Sequence, residues 1–237
     1  MSFSSAMKNK KTWFIGIPVI LVLLVVGGPF VYINFIKDDP PPRLELSTVT
    51  TGGNTSSTAP AEASIDGEWT VKAGSKVQYR VDEILFGQST EGVGATTAVT
   101  GDMTIAGTSV DAAEFTADLT QVTSDEDNRD RQFQGRIMDT ANFPNATFRL
   151  TAPIDLGTVP DVGEQVTLKA SGDLTLRGQT KPVTFDVVAQ RNGADIETNG
   201  TIPIVFDEYA IPEPSFGPAQ VGDTGDLEFL ITFEPAA

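Results

Sequence analysis

The sequence of 237 residues contains neither cysteine nor histidine, and both absences exclude chemistry. Without histidine there is no imidazole base and no Ser-His-Asp triad. Without either residue there is no ordinary zinc, copper or haem site, and without cysteine there is no disulfide. Composition therefore argues against most hydrolytic and redox enzymes.

Positive charge is also scarce, because 16 Lys and Arg stand against 32 Asp and Glu, for a net charge of −16. A polyanion repels phosphate backbones, so we expect no nucleic-acid partner. Four carboxylates lie together at Asp125, Glu126, Asp127 and Asp130 and could in principle hold Ca²⁺ or act as glycosidase acids. Their spacing lacks the Gly and the distant Glu of a calcium loop. We predict no metal site and no enzymatic activity.

Charged residues are absent from the segment Trp13–Ile36, which is apolar enough to cross a hydrocarbon core of roughly 30 Å as a helix. Residues 1–12 carry three lysines, which favours a cytoplasmic N-terminus and an extracytoplasmic remainder. We predict a single-pass transmembrane helix or signal anchor. The alternative is a cleaved signal peptide whose apolar core is Trp13–Val26.

Residues 37–64 have the composition of a linker. Pro40, Pro41 and Pro42 cannot propagate a helix, and the Thr, Ser and Gly residues that follow cannot form a core. We predict a flexible tether, with a short contact at Leu44 and Leu46 as the alternative.

From Gly67 onward, residues with apolar side chains alternate with polar ones in short runs. Val77, Tyr79 and Val81, for example, alternate with Gln78 and Arg80. Alternation with a period of two, with one buried and one solvent-exposed face, is typical of antiparallel strands. About eight or nine such strands suggest a sheet closed on itself. The sequence therefore predicts an all-β antiparallel barrel over residues 65–237, with an interior wide enough for one slender ligand.

One segment, Ser124–Met138, breaks the alternation and is predicted to be a short helix. Ser124 is positioned to cap it, and Phe133 and Ile137 lie four residues apart on one face. The helix could plug one end of the barrel or frame the mouth of a ligand site. Arg129 and Asp130 within it are either a structural ion pair at the rim or the contact for a ligand head group.

The predicted inward-facing positions form the candidate apolar lining. Among them Ala117 and Ala170, together with Gly172, are small enough to leave room for a chain. An apolar inner face is nevertheless expected of any barrel, whether filled or hollow. The lining residues are Tyr79, Val81, Met103, Ile105, Phe115, Ala117, Phe133, Phe148, Leu150, Leu168, Ala170, Leu174, Val183, Phe185, Val187, Phe206, Phe229 and Ile231.

Four segments in sequence order resemble the YceI-like family. They are the strand pair Trp69–Val81, the pair Arg129–Asp130, the segment Asn142–Phe148 and the strand pair Gly172–Thr184, which reads G-x-L-T-x-x-G-x-T-x-x-V-x. The resemblance implies a lipocalin-like barrel of about eight strands that binds a long-chain isoprenoid or similar amphiphilic lipid without catalysis. It implies no cofactor beyond a bound polyprenyl lipid or prenyl quinone.

This sequence departs from the family pattern in two respects. Family members often carry histidines in the opening strands and after the Arg-Asp pair, so no role that needs an imidazole is carried over. The membrane segment is not part of the family pattern and implies a tethered version. The alternative function is an envelope-surface interaction module with a solid core, in which Tyr209 or Phe216 of a long loop contacts a partner.

Overall fold

The computed structural model describes residues 28, 30–31, 39–48 and 64–236, and β-strands dominate them. One helix, α1, covers Asp127–Gln132 and continues as a π-helical stretch, Phe133–Ile137; two 3₁₀ turns cover Leu119–Gln121 and Phe206–Tyr209. The strands are β1 Gly67–Val71, β2 Lys76–Leu85, β3 Gln88–Thr96, β4 Val99–Ala106, β5 Ser109–Asp118, β6 Thr123–Ser124, β7 Asn145–Leu150, β8 Ile154–Asp155, β9 Gln165–Leu176, β10 Gln179–Asn192, β11 Asp195–Val205, β12 Ala219–Val221 and β13 Thr224–Pro235.

Eight strands close an antiparallel barrel in the order β1-β4-β5-β7-β9-β10-β11-β13, and β13 pairs back with β1. The predicted all-β barrel with one short helix is confirmed. Tight turns join neighbouring strands: Arg177 and Gly178 between β9 and β10 both have positive φ, as do Phe86 and Gly87 between β2 and β3. Two positive φ values in a two-residue loop match the right-handed twist of the flanking strands.

The two ends of the barrel differ because one edge of β13 pairs with two different strands, one after the other. Its last residues, Phe233–Pro235, pair with β1, whereas Asp226–Leu230 pair with β2. Beyond β2 the sheet continues through β3 to the two-residue β6, and α1 follows directly. We call the end bordered by β1 the closed end and the end bordered by β2, β3 and α1 the mouth end.

The helix is shorter than the sequence predicts, and Ser124 does not cap it. Ser124 pairs with Gly94 as part of β6, so the chain is still extended there and the helix begins after Glu126. The hydroxyl and backbone N–H of Ser124 donate to Asp130 at 2.6 and 2.8 Å, which ties the strand to the helix. Phe133 is buried as predicted.

Residues 39–48, part of the predicted flexible linker, lie across the outer face of the barrel. We call this segment the strap. Arg80 on β2 donates to the Pro41 carbonyl at 2.7 Å, Arg43 pairs with Glu228 on β13, and Asn199 on β11 donates to the Leu44 carbonyl at 2.9 Å. The prediction of a flexible tether did not include these contacts, whereas the alternative, a short contact at Leu44 and Leu46, included the one at Leu44.

The last contact of the strap lies nearest the closed end. The Ser47 N–H donates to Glu197 at 3.0 Å, and Gln190 donates to the Ser47 carbonyl at 2.8 Å. The strap therefore runs diagonally, from the level of Arg80 and Asp226 down to the level of Glu197.

Polar side chains under the strap are buried, although they lie on a face that the sequence predicts to be exposed to solvent. Gln78 donates to Glu228 at 2.6 Å and Arg80 donates to the same carboxylate at 3.0 Å, and both are among the buried residues. Because these groups pair with one another and with the strap, the cost of removing them from water is offset.

The predicted membrane-spanning segment Trp13–Ile36 falls outside the described residues, apart from residues 28 and 30–31, and so do residues 1–12. Within the part of the chain that the structure describes, no helix combines the length and apolar character needed to cross a membrane.

Candidate functional site

A cavity of about 720 Å³ lies at the mouth end of the barrel, and we call it the upper cavity. Its size falls within the range of roughly 300–1,000 Å³ that is usual for ligand pockets. Strands β2, β3 and β13, helix α1 and the segment before β12 form its wall. The apolar wall residues include Val77, Tyr79, Val81, Leu85, Leu119, Val122, Phe133, Ile137, Met138, Ala146, Leu176, Ile204, Phe206, Ile211 and Leu227.

Tyr79 and Phe133 form the aromatic part of this wall. Their rings stack with centroids 5.0 Å apart, which fixes the start of the π-helical stretch against β2. A Cβ at Gly94 would overlap the Tyr79 ring, so the absence of a side chain on β3 lets that ring lie flat against the strand. Burial raises the pKa of Tyr79, so its phenol stays protonated and neutral across the physiological range.

One charged pair interrupts the apolar wall. Arg129 Nη2 lies 3.1 Å from Glu83 Oε1, and its Nη1 donates to Asp125. Burial acts to lower the pKa of Arg129, but the carboxylates of Glu83 and Asp125 outweigh it and the pKa is raised. The guanidinium is therefore charged and compensated, and it is one of the polar groups on a wall that is mostly apolar.

Aromatic side chains fill the middle of the barrel. Phe115 stacks on Phe148 with centroids 5.7 Å apart, Phe148 meets Phe185 edge-on at 5.4 Å, and Phe185 meets Phe229 edge-on at 5.7 Å. Phe233 completes the set at 5.8 Å from Phe115. We call these five residues the phenylalanine layer; offset and edge-on pairs of this kind are the favoured aromatic geometries.

Two glycines make space for the phenylalanine layer. A Cβ at Gly172 would overlap the Phe148 ring, and a Cβ at Gly200 would lie within 2.9 Å of two atoms of the Phe229 ring. The prediction that Gly172 leaves room for a ligand chain is therefore wrong, because Phe148 already occupies that space.

Below the phenylalanine layer a second cavity of about 90 Å³ lies at the closed end, and we call it the lower cavity. Met103, Ile105, Ala113, Leu168 and Ala170 are part of its apolar wall. Its volume equals the liquid share of about three water molecules, at roughly 30 Å³ each. A long apolar chain therefore has no room there.

Comparison with known proteins gives the chain a family. Residues 69–233 match the family described as the YceI-like domain. The chain belongs to this family. Because the match covers most of the barrel, the family assignment and the observed fold describe the same unit.

Curated relatives of the chain are proteins without a descriptive name. A UPF0312 protein of Pseudomonas syringae pv. tomato is 33% identical over 113 residues, which cover 45% of this chain and 52% of the relative. A UPF0312 protein of Pseudomonas putida is 29% identical over 130 residues, which cover 51% of this chain and 62% of the relative. The chain thus spans about half to three fifths of the curated relatives it matches.

Two solved structures of the family share the fold. A polyisoprenoid-binding domain from Saccharophagus degradans, implicated in plant cell wall breakdown, aligns with a TM-score of 0.59 at 19% identity, over 71% of this chain and 98% of that one. BcnA of Burkholderia cenocepacia aligns with a TM-score of 0.52 at 20% identity, over 66% of this chain and 95% of that one. At these identities the likeness concerns the architecture.

The predicted lining residues separate into three groups in the structure. Tyr79, Val81, Phe133 and Phe206 line the upper cavity. Met103, Ile105, Phe115, Phe148, Leu150, Leu168, Ala170, Phe185, Val187 and Phe229 line the lower cavity. Ala117, Leu174, Val183 and Ile231 line neither cavity.

Several upper-cavity residues are not among the predicted lining. Leu176, Ile204 and Leu227 lie on predicted strands with the right alternation, so the sequence did contain a signal for them. Val122 and Ile211 lie outside the strands, where no periodic pattern points to them.

The two residues of the predicted head-group pair, Arg129 and Asp130, have different roles in the structure. Arg129 lines the upper cavity, whereas Asp130 accepts hydrogen bonds from Ser124 and holds the helix to β6. Of the acids around them, Asp125 pairs with Arg129. Among the described residues, no three carboxylates lie in an arrangement that could hold a metal ion.

Two aromatic residues of the loop between β11 and β12 lie in different environments. Tyr209 is 2% exposed and packs into the core, whereas Phe216 is 49% exposed and also lines the upper cavity. Arg136 holds this loop against the helical segment by donating to the backbone carbonyls of Glu213 and Pro214 at 2.6 and 3.2 Å.

Proposed function

We propose that this protein binds, without chemical conversion, one long-chain isoprenoid or similar amphiphilic lipid in the upper cavity. We further propose that it does so outside the cytoplasm, as a barrel tethered to the membrane by its N-terminal segment. The observation that carries the proposal is a mainly apolar cavity of about 720 Å³ with the Arg129–Glu83 pair on its wall.

The energetics of an apolar guest favour a long chain over a short one. Each buried methylene contributes about 0.8 kcal/mol, and association itself costs roughly 4–15 kcal/mol. A micromolar complex requires a net gain of about 8 kcal/mol, so the guest has to bury roughly 15 or more methylene equivalents. A polyprenol or the tail of a prenyl quinone meets that requirement.

The family supports the same guest class. The Saccharophagus degradans domain of the same architecture is described as polyisoprenoid-binding. Arg129, which lines the upper cavity, is proposed to meet the oxygen of an amphiphile, while the contacts with the apolar wall residues are non-directional. Composition supports a binding role, because the chain has no histidine or cysteine to act as base or nucleophile.

Native mass spectrometry of the purified full chain in detergent tests the proposal. We expect a one-to-one complex after addition of a long polyprenol or prenyl quinone, and no complex with a short-chain prenol. If the chain binds no long prenyl compound, the result would contradict the proposal and favour the envelope interaction module.

A pair of matched variants assigns the guest to one cavity. Ala146→Leu adds bulk to the upper cavity and Ala113→Leu adds the same bulk to the lower one. Because the new side chain displaces about three methylenes of the guest, Ala146→Leu should weaken binding by roughly fiftyfold. Ala113→Leu should leave the affinity unchanged; equal losses in both variants would contradict the assignment.

A further inference from the structure

Exposed apolar side chains cluster around the mouth of the upper cavity. Ile84 and Phe86 lie at the tip of the β2–β3 hairpin and are 46% and 53% exposed, and Phe216 in the loop before β12 is 49% exposed. The Phe86 N–H donates to the Pro218 carbonyl at 3.4 Å, which holds the hairpin tip beside the loop. We call Ile84, Phe86 and Phe216 the mouth rim. Contiguous exposed apolar groups on a protein surface commonly mark a contact with a partner or a membrane.

The strap makes its first contacts at this end of the barrel. Its contacts begin at Arg80 and Asp226 and then descend towards Glu197 near the closed end. Asp226 itself lines the upper cavity. The N-terminal end of the strap therefore lies at the mouth end of the barrel.

The sequence just before the strap is apolar. The run Trp13–Ile36 contains no charged residue, and only Lys37 and Asp38 separate it from the strap. Gly28, which lies within that run, is one of the residues on the wall of the upper cavity. Gly28 and the N-terminal end of the strap thus lie at the same end of the molecule as the mouth rim.

We propose that the strap holds the barrel with its mouth against the lipid surface, so that the mouth rim enters the bilayer interface and the upper cavity opens directly to lipid. This inference rests on the proposed lipid guest. A guest that passes from bilayer to cavity without crossing water avoids exposing its apolar chain, which is unfavourable in proportion to the area exposed.

The contact with lipid is apolar in character. With a net charge of −16, the protein gains nothing from anionic head groups, and neutral lipid suits the mouth rim better. Raising the salt concentration should therefore leave the contact with a zwitterionic bilayer intact, in contrast to docking through a basic patch.

Because the native chain has no cysteine, single cysteines report on the orientation of the barrel. Phe86→Cys and Phe216→Cys, each labelled with an environment-sensitive fluorophore, probe the mouth rim in the full chain reconstituted into phosphatidylcholine vesicles. Val162→Cys is the matched control, since Val162 is 48% exposed and bridges to Arg191 near the opposite end of the barrel. We expect blue-shifted emission and strong quenching by spin-labelled phosphatidylcholine at 86 and 216, and neither at 162.

A strap variant tests the holding role. Arg43→Glu places a carboxylate beside Asp226 and Glu228, so the strap should detach and the quenching at position 86 should fall to the level at 162. Lys169→Glu makes the same charge change at an exposed pair on β9 and should leave the quenching unchanged. Quenching that survives Arg43→Glu would overturn the role of the strap.

Two other outcomes contradict the proposal itself. Equal, weak quenching at 86, 216 and 162 shows a barrel that does not dock on lipid. Blue-shifted emission at 86 without lipid quenching shows that the N-terminal run or a second copy covers the mouth rim. Failure of the proposed function gives a different result. In that case lipid would quench the fluorophores at 86 and 216, while mass spectrometry would detect no prenyl complex.

Discussion

In the middle of the barrel five phenylalanines interlock and leave about 90 Å³ beneath them at the closed end, whereas at the mouth end the wall surrounds about 720 Å³. Both halves are built from strands with the same apolar–polar alternation. The difference lies in what projects inwards and in what borders the sheet. Large rings opposite Gly172 and Gly200 fill the middle of the barrel, while at the mouth end the rings of Tyr79 and Phe133 lie in the wall of the upper cavity.

The largest expected effect comes from opening the phenylalanine layer. Phe148→Ala should destabilise the protein by about 3–5 kcal/mol, because it removes two ring contacts and leaves a cavity in a packed region. Phe133→Ala should cost less, since that ring already borders an open space. Denaturant unfolding of both variants measures the difference, and equal losses would contradict the contrast between the two halves.

A smaller effect is expected from filling the space that Phe148 uses. Gly172→Ala places a Cβ where the Phe148 ring lies, so the free energy of unfolding should fall by about 1–3 kcal/mol. Gly135→Ala is the matched control, because nothing lies within 4 Å of a Cβ built there, and its effect should stay within about 1 kcal/mol. A neutral Gly172→Ala would show that the layer is looser than its geometry indicates.

The smallest effect concerns the strap at its closed-end contact. Burial acts to raise the pKa of Glu197, but hydrogen bonds from Asn192, Gln190 and the Ser47 N–H outweigh it and lower the pKa. A lowered carboxylate pKa stabilises the fold above the unfolded value of about 4.3, and that contribution is lost as the pH falls through the folded pKa.

Glu197→Gln tests this contribution by measuring the unfolding free energy against pH. The variant should be less stable than the native protein at neutral pH, and the difference should shrink below about pH 4. A difference that stays constant down to acid pH would show that the charge of Glu197 contributes nothing to holding Ser47.

Most of the architecture could be predicted from local patterns. Alternation located the eight strands of the barrel and β2 but not β3, Gly178 located a hairpin turn, and the break at Ser124–Met138 located the helix. The exact start of the helix could not be read from residue types, because the pairing of Ser124 with Gly94 depends on a strand thirty residues away.

The candidate site was only partly predictable. Alternation identifies which side chains point inwards, but whether they meet depends on ring size and on the residue opposite, as Phe148 and Gly172 illustrate. The strap was predicted only as an alternative contact at Leu44 and Leu46, for a related reason. Its contacts are made largely by backbone carbonyls at Pro41 and Leu44, which carry no sequence signature, so Arg80 was expected to face water.

Photolabelling tests the central claim most directly, because it locates the guest as well as detecting it. A polyprenol with a diazirine near the end of its chain is irradiated with the full-length protein, and the labelled peptides are mapped. The account predicts labels on the peptides that carry Tyr79, Phe133 and Leu227 around the upper cavity. Labels confined to the peptides that carry Met103 and Leu168, or no label above that of an unfolded control, would contradict it.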